Sequence, residues 1–186
     1  MAEGDVLLGL SGALRKGSSN TMLMREAARL YGPARFIEAD LRLPLYDGDL
    51  EDSEGIPEAV QRLARQIAEA DAVIVAAPEY NKSISGVLKN ALDWVSRTSP
   101  NPWAGKPVAV MSSAAGRSGG ERGQMITRLA LLPFRPRLLP GPEVFVANGR
   151  NQFDAEGRLI NEQSLKLLAA LMEALKAEVD LLRRAA

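Results

Sequence analysis

Ala72-Val73-Ile74-Val75-Ala76 is apolar at five consecutive positions and β-branched at its three central ones. A strand with one face in water alternates apolar with polar residues. A strand covered on both faces has no polar position at all, and that is how this segment reads. Val6-Leu7-Leu8-Gly9-Leu10 and Val108-Ala109-Val110-Met111 have the same character. Arg35-Phe36-Ile37 and Val144-Phe145-Val146 are weaker candidates for two more strands.

The segments between the strands carry helical period instead. Ile84, Val87, Leu88, Ala91, Leu92 and Val95 follow the i, i+3, i+4 rule, as do Ile56, Val60, Leu63 and Ile67. Leu165, Leu168, Met172, Leu175, Val179 and Leu182 mark one face of a long final helix, and further helices are expected near 20–31 and 119–132. Strand and helix alternating five times predict an α/β fold: a flavodoxin-like three-layer sandwich. Its five-stranded parallel sheet should run in the order 2-1-3-4-5, with helices on both faces. Residues 1–186 are read as a single domain, the Pro/Gly-rich stretch 133–142 being a loop inside it.

Composition narrows the chemistry. The chain has 186 residues, no cysteine and no histidine. That excludes a thiolate nucleophile, a Cys-ligated cluster, a His-based triad and an HExxH metal site, so no metal centre is expected. Redox chemistry here must come from a bound organic cofactor. Lys plus Arg and Asp plus Glu both number 23, which gives no reason to expect a nucleic-acid or membrane-surface partner. The start, Met1-Ala2-Glu3-Gly4-Asp5, is acidic, and no apolar run approaches the ~20 residues of a membrane span, so a cytoplasmic location is expected.

In an open parallel sheet, ligands bind beyond the carboxyl ends of the strands beside the switch point. Three loops lie there. Ser11-Gly12-Ala13-Leu14-Arg15-Lys16-Gly17-Ser18-Ser19-Asn20 follows the first strand and opens a helix, an arrangement that favours an anion. The same serines and glycines would also serve simply as helix cap and turn. The loop matches neither the P-loop nor the dinucleotide fingerprint, so a monophosphate is the expected ligand. Pro78-Glu79-Tyr80-Asn81-Lys82-Ser83 follows the third strand and offers an aromatic and several polar groups to a flat heterocycle. Tyr80 alternatively packs half-buried, and Ser83 or Ser85 caps a helix. Ser112-Ser113-Ala114-Ala115-Gly116 follows the fourth strand and is small enough to let a ring approach, or is merely a flexible connection. Ser11 and Pro78 occupy the positions at which a receiver domain needs acids. No cysteine follows the first strand, as a low-molecular-weight phosphatase requires.

These loops carry a resemblance. The stretch Gly12 to Asn20 is similar to the pattern G-S-x-R-x-x-S-x-N, and Pro78 to Trp94 matches P-E-Y-N-x-S-x-x-x-x-L-K-N-A-[LI]-D-W with Leu88-Lys89-Asn90-Ala91-Leu92-Asp93-Trp94 intact. A G-K-P-V block begins at Gly105. The chain thereby resembles the NADPH-dependent FMN reductases, a family that includes chromate, quinone and azo-dye reductases. The resemblance implies FMN as cofactor and NAD(P)H as co-substrate. It places the FMN phosphate on Arg15, Ser18 and Asn20, in a cradle shared with Ser11, Ala13, Leu14 and Ser19. It sets Pro78, Glu79, Tyr80 and Asn81 along the ring, with Ser113 and Gly116 at its other edge. Ala13 departs from the family's serine, so Ser11 or Ser19 would have to compensate for the lost hydroxyl.

The expected activity is ping-pong transfer of electrons from NAD(P)H to small acceptors such as quinones, flavins, ferric complexes, chromate or azo compounds. The flavin carries the chemistry, and Tyr80 is the one weak candidate for a catalytic side chain. The alternative is a flavodoxin-like electron carrier, and a third possibility is a scaffold that has lost its flavin. A homodimer or dimer of dimers is expected, from the family and from Trp94 and Trp103. Both tryptophans are read as extending an apolar patch unless they pack inside their own subunit.

Overall fold

The computed structural model describes residues 4–185. Strand β1 (Val6–Ser11) leads through helix α1 (Ser19–Tyr31) to β2 (Arg35–Glu38). Helices α2 (Gly48–Glu54) and α3 (Glu58–Glu69) precede β3 (Ala72–Ala76). A short hairpin, β4 (Glu79–Tyr80) and β5 (Ser83–Ile84), opens α4 (Gly86–Val95), which is followed by β6 (Pro107–Ser113) and α5 (Glu121–Leu131). Two short strands, β7 (Arg137–Leu138) and β8 (Phe145–Val146), precede α6 (Glu162–Ala185).

The parallel sheet runs β2-β1-β3-β6, and β7 and β8 share the fifth position beside β6. The expected order therefore holds, with its last strand broken in two. The break falls at Leu139-Pro140-Gly141-Pro142, where two prolines remove ladder donors. β7 pairs with the start of β6 and β8 with its end.

Successive strand residues point to opposite faces, and both faces are covered. Leu7, Ile74, Ala109 and Met111 join one core with α1 and α6, where Leu168, Leu171, Met172 and Leu175 are buried. Leu8, Leu10, Val73, Val75, Val108 and Val110 join the other with α3, α4 and Leu131 of α5. This alternation is why the strand sequences read as unbroken apolar runs. The far end of α6 is pinned to the residues that immediately precede β1 and β3. Arg183 donates to Asp5 at 2.5 Å and to Asp71 at 2.9 Å, while the Tyr31 hydroxyl donates to Asp5 at 2.7 Å. Burial and the adjoining Asp5 push the Tyr31 phenol well above its ordinary range.

Three expectations need correction. The helix read from Ile84 begins at Gly86, because Ser85 caps it by accepting the Leu88 N–H at 3.2 Å, and Ile84 belongs to β5. The stretch after Pro78 is a hairpin whose turn residues, Asn81 (φ 50) and Lys82 (φ 65), are both left-handed, the mirror-image turn that suits the twist of strands. Trp94 and Trp103 are 0% and 1% exposed: Trp94 donates to the Pro44 carbonyl at 2.8 Å, and Trp103 packs near Phe134. They fill the chain's own core and supply no partner surface. Among the described residues, no helix is long and apolar enough to cross a membrane.

Candidate active site

The loops after β1, β3 and β6 are held together by a few specific contacts. The Gly12 N–H donates to the Ala76 carbonyl at 3.0 Å, and the Ser85 hydroxyl donates to the Gly12 carbonyl at 2.8 Å. A Cβ at Gly12 would lie 2.7 Å from Pro78, so the first loop needs glycine where it crosses the second.

β6 runs two residues beyond its pairing with Ala76, and the chain opposite turns away at Pro78, which has no N–H. The Ser113 peptide groups would be stranded there. The buried Asn20 amide meets both: its Oδ1 accepts the Ser113 N–H at 3.0 Å, and its Nδ2 donates to the Ser113 carbonyl at 2.8 Å. One side-chain amide thus stands in for the missing strand neighbour and locks the first loop to the third.

Ser18 caps α1. Its Oγ accepts the N–H groups of Asn20 and Thr21 at 3.2 and 3.4 Å, so its own hydroxyl hydrogen is left to donate outward. The first turn of α1 has no acidic residue, so nothing on the helix offsets its positive end. The second loop is tied to α5 by Glu79, whose carboxylate accepts the Gly123 N–H at 3.1 Å and lies 3.4 Å from the Lys82 ammonium. Burial alone would raise the Glu79 carboxyl, but the Gly123 N–H and Lys82 outweigh it and hold it below its ordinary value.

These contacts enclose a cleft of about 370 Å³. The phosphate-compatible end is formed by Ala13, Arg15, Gly17, Ser18 and Ser19. The backbone runs Pro78–Tyr80 and Ser113–Ala115 line the cleft as well, with Gly149, close to the Ser113 and Ser19 hydroxyls, and Arg150. The Ser113 hydroxyl is buried on this wall with no hydrogen-bond partner. A buried polar group left unmatched marks a place that expects a polar ligand. The volume and donor set fit a flat heterocycle carrying one phosphate.

The family model for NADPH-dependent FMN reductase matches residues 6–151. The chain belongs to that family. An NAD(P)H-dependent FMN reductase of Pseudomonas aeruginosa is 42% identical over 185 residues, covering 98% of this chain and 100% of its own. A quinone reductase of Escherichia coli is 37% identical over 178 residues, covering 94% and 95%. Among solved structures, the flavoenzyme NAD(P)H:(acceptor) oxidoreductase of Paracoccus denitrificans superimposes with a TM-score of 0.84 at 31% identity, over 95% of this chain and 97% of that one. This FMN reductase family member is therefore an oxidoreductase enzyme with FMN as cofactor and NAD(P)H as co-substrate. The non-enzymatic carrier and scaffold alternatives fall away.

Of the residues singled out from the sequence, Ala13, Arg15, Ser18, Ser19, Asn20, Pro78, Glu79, Tyr80 and Ser113 line the one cleft. Asn20 does so as the clamp described above, its amide already committed to Ser113. Ser11 and Leu14 line a neighbouring cleft instead, and the Ser11 hydroxyl pairs with Thr21 at 2.9 Å. Asn81 and Gly116 line neither. Asn81 is the exposed corner of the hairpin turn, and the Gly116 carbonyl accepts the Asn148 N–H at 3.3 Å. Tyr80 is 51% exposed at the cleft mouth, and its hydroxyl has no partner among the described residues. Gly149 and Arg150 went unnoticed in the sequence because they follow a two-residue strand in a loop without a motif. The signal that could have found them is position, since they leave the carboxyl end of the last strand.

Proposed function

We propose that the 370 Å³ cleft holds FMN, and that the protein reduces quinones and related small acceptors with NAD(P)H. The observation that carries this is the cleft's construction: a helix N-terminus that no acidic residue of its first turn offsets, the Ser18, Ser19 and unmatched Ser113 hydroxyls near it, and the backbone runs Pro78–Tyr80 and Ser113–Ala115 lining the rest. Arg15, Ser18, Ser19 and the adjacent backbone N–H groups hold the phosphate. Pro78, Glu79 and Tyr80 line one edge of the ring, and Ser113 with Ala114 lines the other. When bound, FMN supplies the hydride chemistry that no side chain of this protein can. Asn20 and Glu79 keep the three loops in register, and the apolar Pro78 and Ala114 surfaces exclude water from the ring site. Without His or Cys, and with Tyr80 open to solvent, the chain assigns no side chain to proton transfer, and water serves.

The chain carries no dinucleotide fingerprint that would give NAD(P)H a separate site, so NAD(P)H and acceptor use this cleft in turn. Flavin titration and steady-state kinetics with a quinone test this: stoichiometric FMN and parallel reciprocal plots are expected. Uptake of FAD in place of FMN, or intersecting plots, would overturn the reading. The name of the Escherichia coli relative supports quinone as the acceptor class. A cytoplasmic location and self-association remain part of the proposal, and self-association is supported by the exposed apolar residues Met125 and Leu129 on α5 and Leu132 just beyond its end. Light scattering should give at least a dimer mass, and a monomer at micromolar concentration would refute it.

A further inference from the structure

The residues between β8 and α6, 147–161, run as a strap beside the start of α1, and the flavin reading gives the strap no task of its own. Asn148, left-handed at φ 53, turns the chain out of β8. The Asn148 and Gly149 N–H groups then donate to the Gly116 and Ala114 carbonyls at 3.3 and 2.9 Å, which ties the strap to the third loop. A Cβ at Gly149 would lie 3.0 Å from the Ser19 hydroxyl, so this turn sits against the first residue of α1. Further along, Phe153 bridges to Leu159, and Leu159 is buried in the core shared with α1 and α6. The Arg158 guanidinium donates to the buried Glu26 of α1 at 3.3 Å. The backbone that carries Arg150 is therefore fixed on both sides, to the third loop before it and to α1 after it.

Arg150 lines the flavin cleft with Ser18, Ser19 and Met22. The charged side chains of that lining are Arg15, Glu79 and Arg150. Glu79 is committed to the Gly123 N–H and to Lys82. Among the described residues, neither Arg15 nor Arg150 has an ion-pair partner. The first turn of α1 carries no acid that could serve either of them. Two unpaired guanidiniums beside one helix N-terminus repel each other in the flavin-free protein, and an anion of more than one charge relieves both. A phosphate monoester carries about −1.5 to −2 at neutral pH, so Arg15 alone leaves part of that charge unmatched. A guanidinium can also hold two phosphate oxygens at once through its planar fork.

We propose that Arg150 is a second guanidinium for the FMN phosphate, brought to Arg15 by the strap, and that it makes the protein select the phosphorylated flavin over riboflavin. The proposal rests on FMN occupying the cleft. Arg150 binds the phosphate and takes no part in electron transfer. Its backbone is held in place before any ligand arrives, so little ordering is needed when the phosphate binds.

Titration of the flavin-free protein with FMN and with riboflavin tests it. Arg150→Met keeps an apolar stem and removes the charge. It should weaken FMN about tenfold, the low end for hydrogen bonds to charged groups because Arg150 is exposed. Riboflavin affinity should not change, and FMN affinity should become less sensitive to salt. Arg150→Lys should recover part of the loss, and Arg150→Glu should lose more than Arg150→Met. Equal losses of FMN and riboflavin would make Arg150 part of the cleft wall and overturn the proposal. So would unchanged FMN affinity with a raised KM for both NADH and NADPH, which would assign the guanidinium to the nicotinamide nucleotide. If the parent chain takes up no FMN, the flavin reading fails, and inorganic phosphate then tests Arg150 by itself. At matched ionic strength, phosphate should raise the Tm of the flavin-free parent more than that of Arg150→Met, and equal rises would overturn the proposal.

Discussion

Replacing Asn20 with alanine separates two jobs that the sequence cannot tell apart. If the amide donates to phosphate, the change weakens FMN and leaves the flavin-free protein alone. The structure assigns it a clamp, with Oδ1 on the Ser113 N–H and Nδ2 on the Ser113 carbonyl, all buried. Alanine strands both peptide groups. Each orphaned buried group costs about 1–3 kcal/mol, so the pair costs about 2–6 kcal/mol. The adjoining cleft admits water to part of the gap, which places the loss in the lower half of that range, about 3 kcal/mol. In a chain of this length that is a fall in Tm of roughly 6–12 °C. Urea unfolding of the flavin-free protein, followed through the buried Trp94 and Trp103, measures it directly. Asn20→Asp should lose a similar amount, because a carboxylate still accepts the Ser113 N–H but faces the Ser113 carbonyl with no donor. Unchanged stability of the flavin-free Asn20→Ala protein, with FMN affinity alone reduced, would refute the clamp.

Arg15→Ala should weaken FMN by about 1.5 kcal/mol, the low end for hydrogen bonds to charged groups because Arg15 is exposed, with stability unaffected; fluorescence titration reads it. Gly149→Ala would set a Cβ against the Ser113 hydroxyl and 3.0 Å from the Ser19 hydroxyl, so it should cost about 1–3 kcal/mol of stability and abolish FMN uptake. Unimpaired flavin content of that variant would remove Gly149 from the cleft wall. Burial raises the Glu26 carboxyl, but Arg29 at 2.7 Å and Arg158 at 3.3 Å outweigh it and lower its pKa. Its contribution to stability is therefore complete above the ordinary value of 4.5 and is lost as pH falls through the lower folded value. Glu26→Gln should flatten the stability profile below that point, and an unchanged acid limb would count against the ion pairs.

The central strands were legible because burial on both faces leaves no polar residue to obscure them, as at Val73–Val75. α2 was not: its seven residues bury nothing, so its sequence has no apolar period, and only Asp47, which caps it by accepting the Asp49 N–H at 3.0 Å, marks its start. The first loop was located correctly, yet the job of Asn20 was hidden. Its partner is 93 residues away, and a clamp and a ligand need the same amide. Trp94 and Trp103 misled for a related reason. An aromatic beyond the helical stripe or in a loop reads as exposed until the segment that covers it, here Pro44 or Phe134, is brought alongside.

The interruption of the fifth strand bears on how the protein behaves when crowded among its own copies. An open sheet ends in two raw margins of unpaired N–H and C=O groups, each able to recruit a strand from another molecule and start a growing stack. On one margin, β7 and β8 are two residues each, and Pro140 and Pro142 stand between them. On the other, β2 is four residues long and bounded by Arg35 and Glu38, both exposed. Neither side offers a flat template of useful length. Rejoining the fifth strand by replacing both prolines with threonine would lengthen one margin, and the protein should then precipitate sooner on gentle heating.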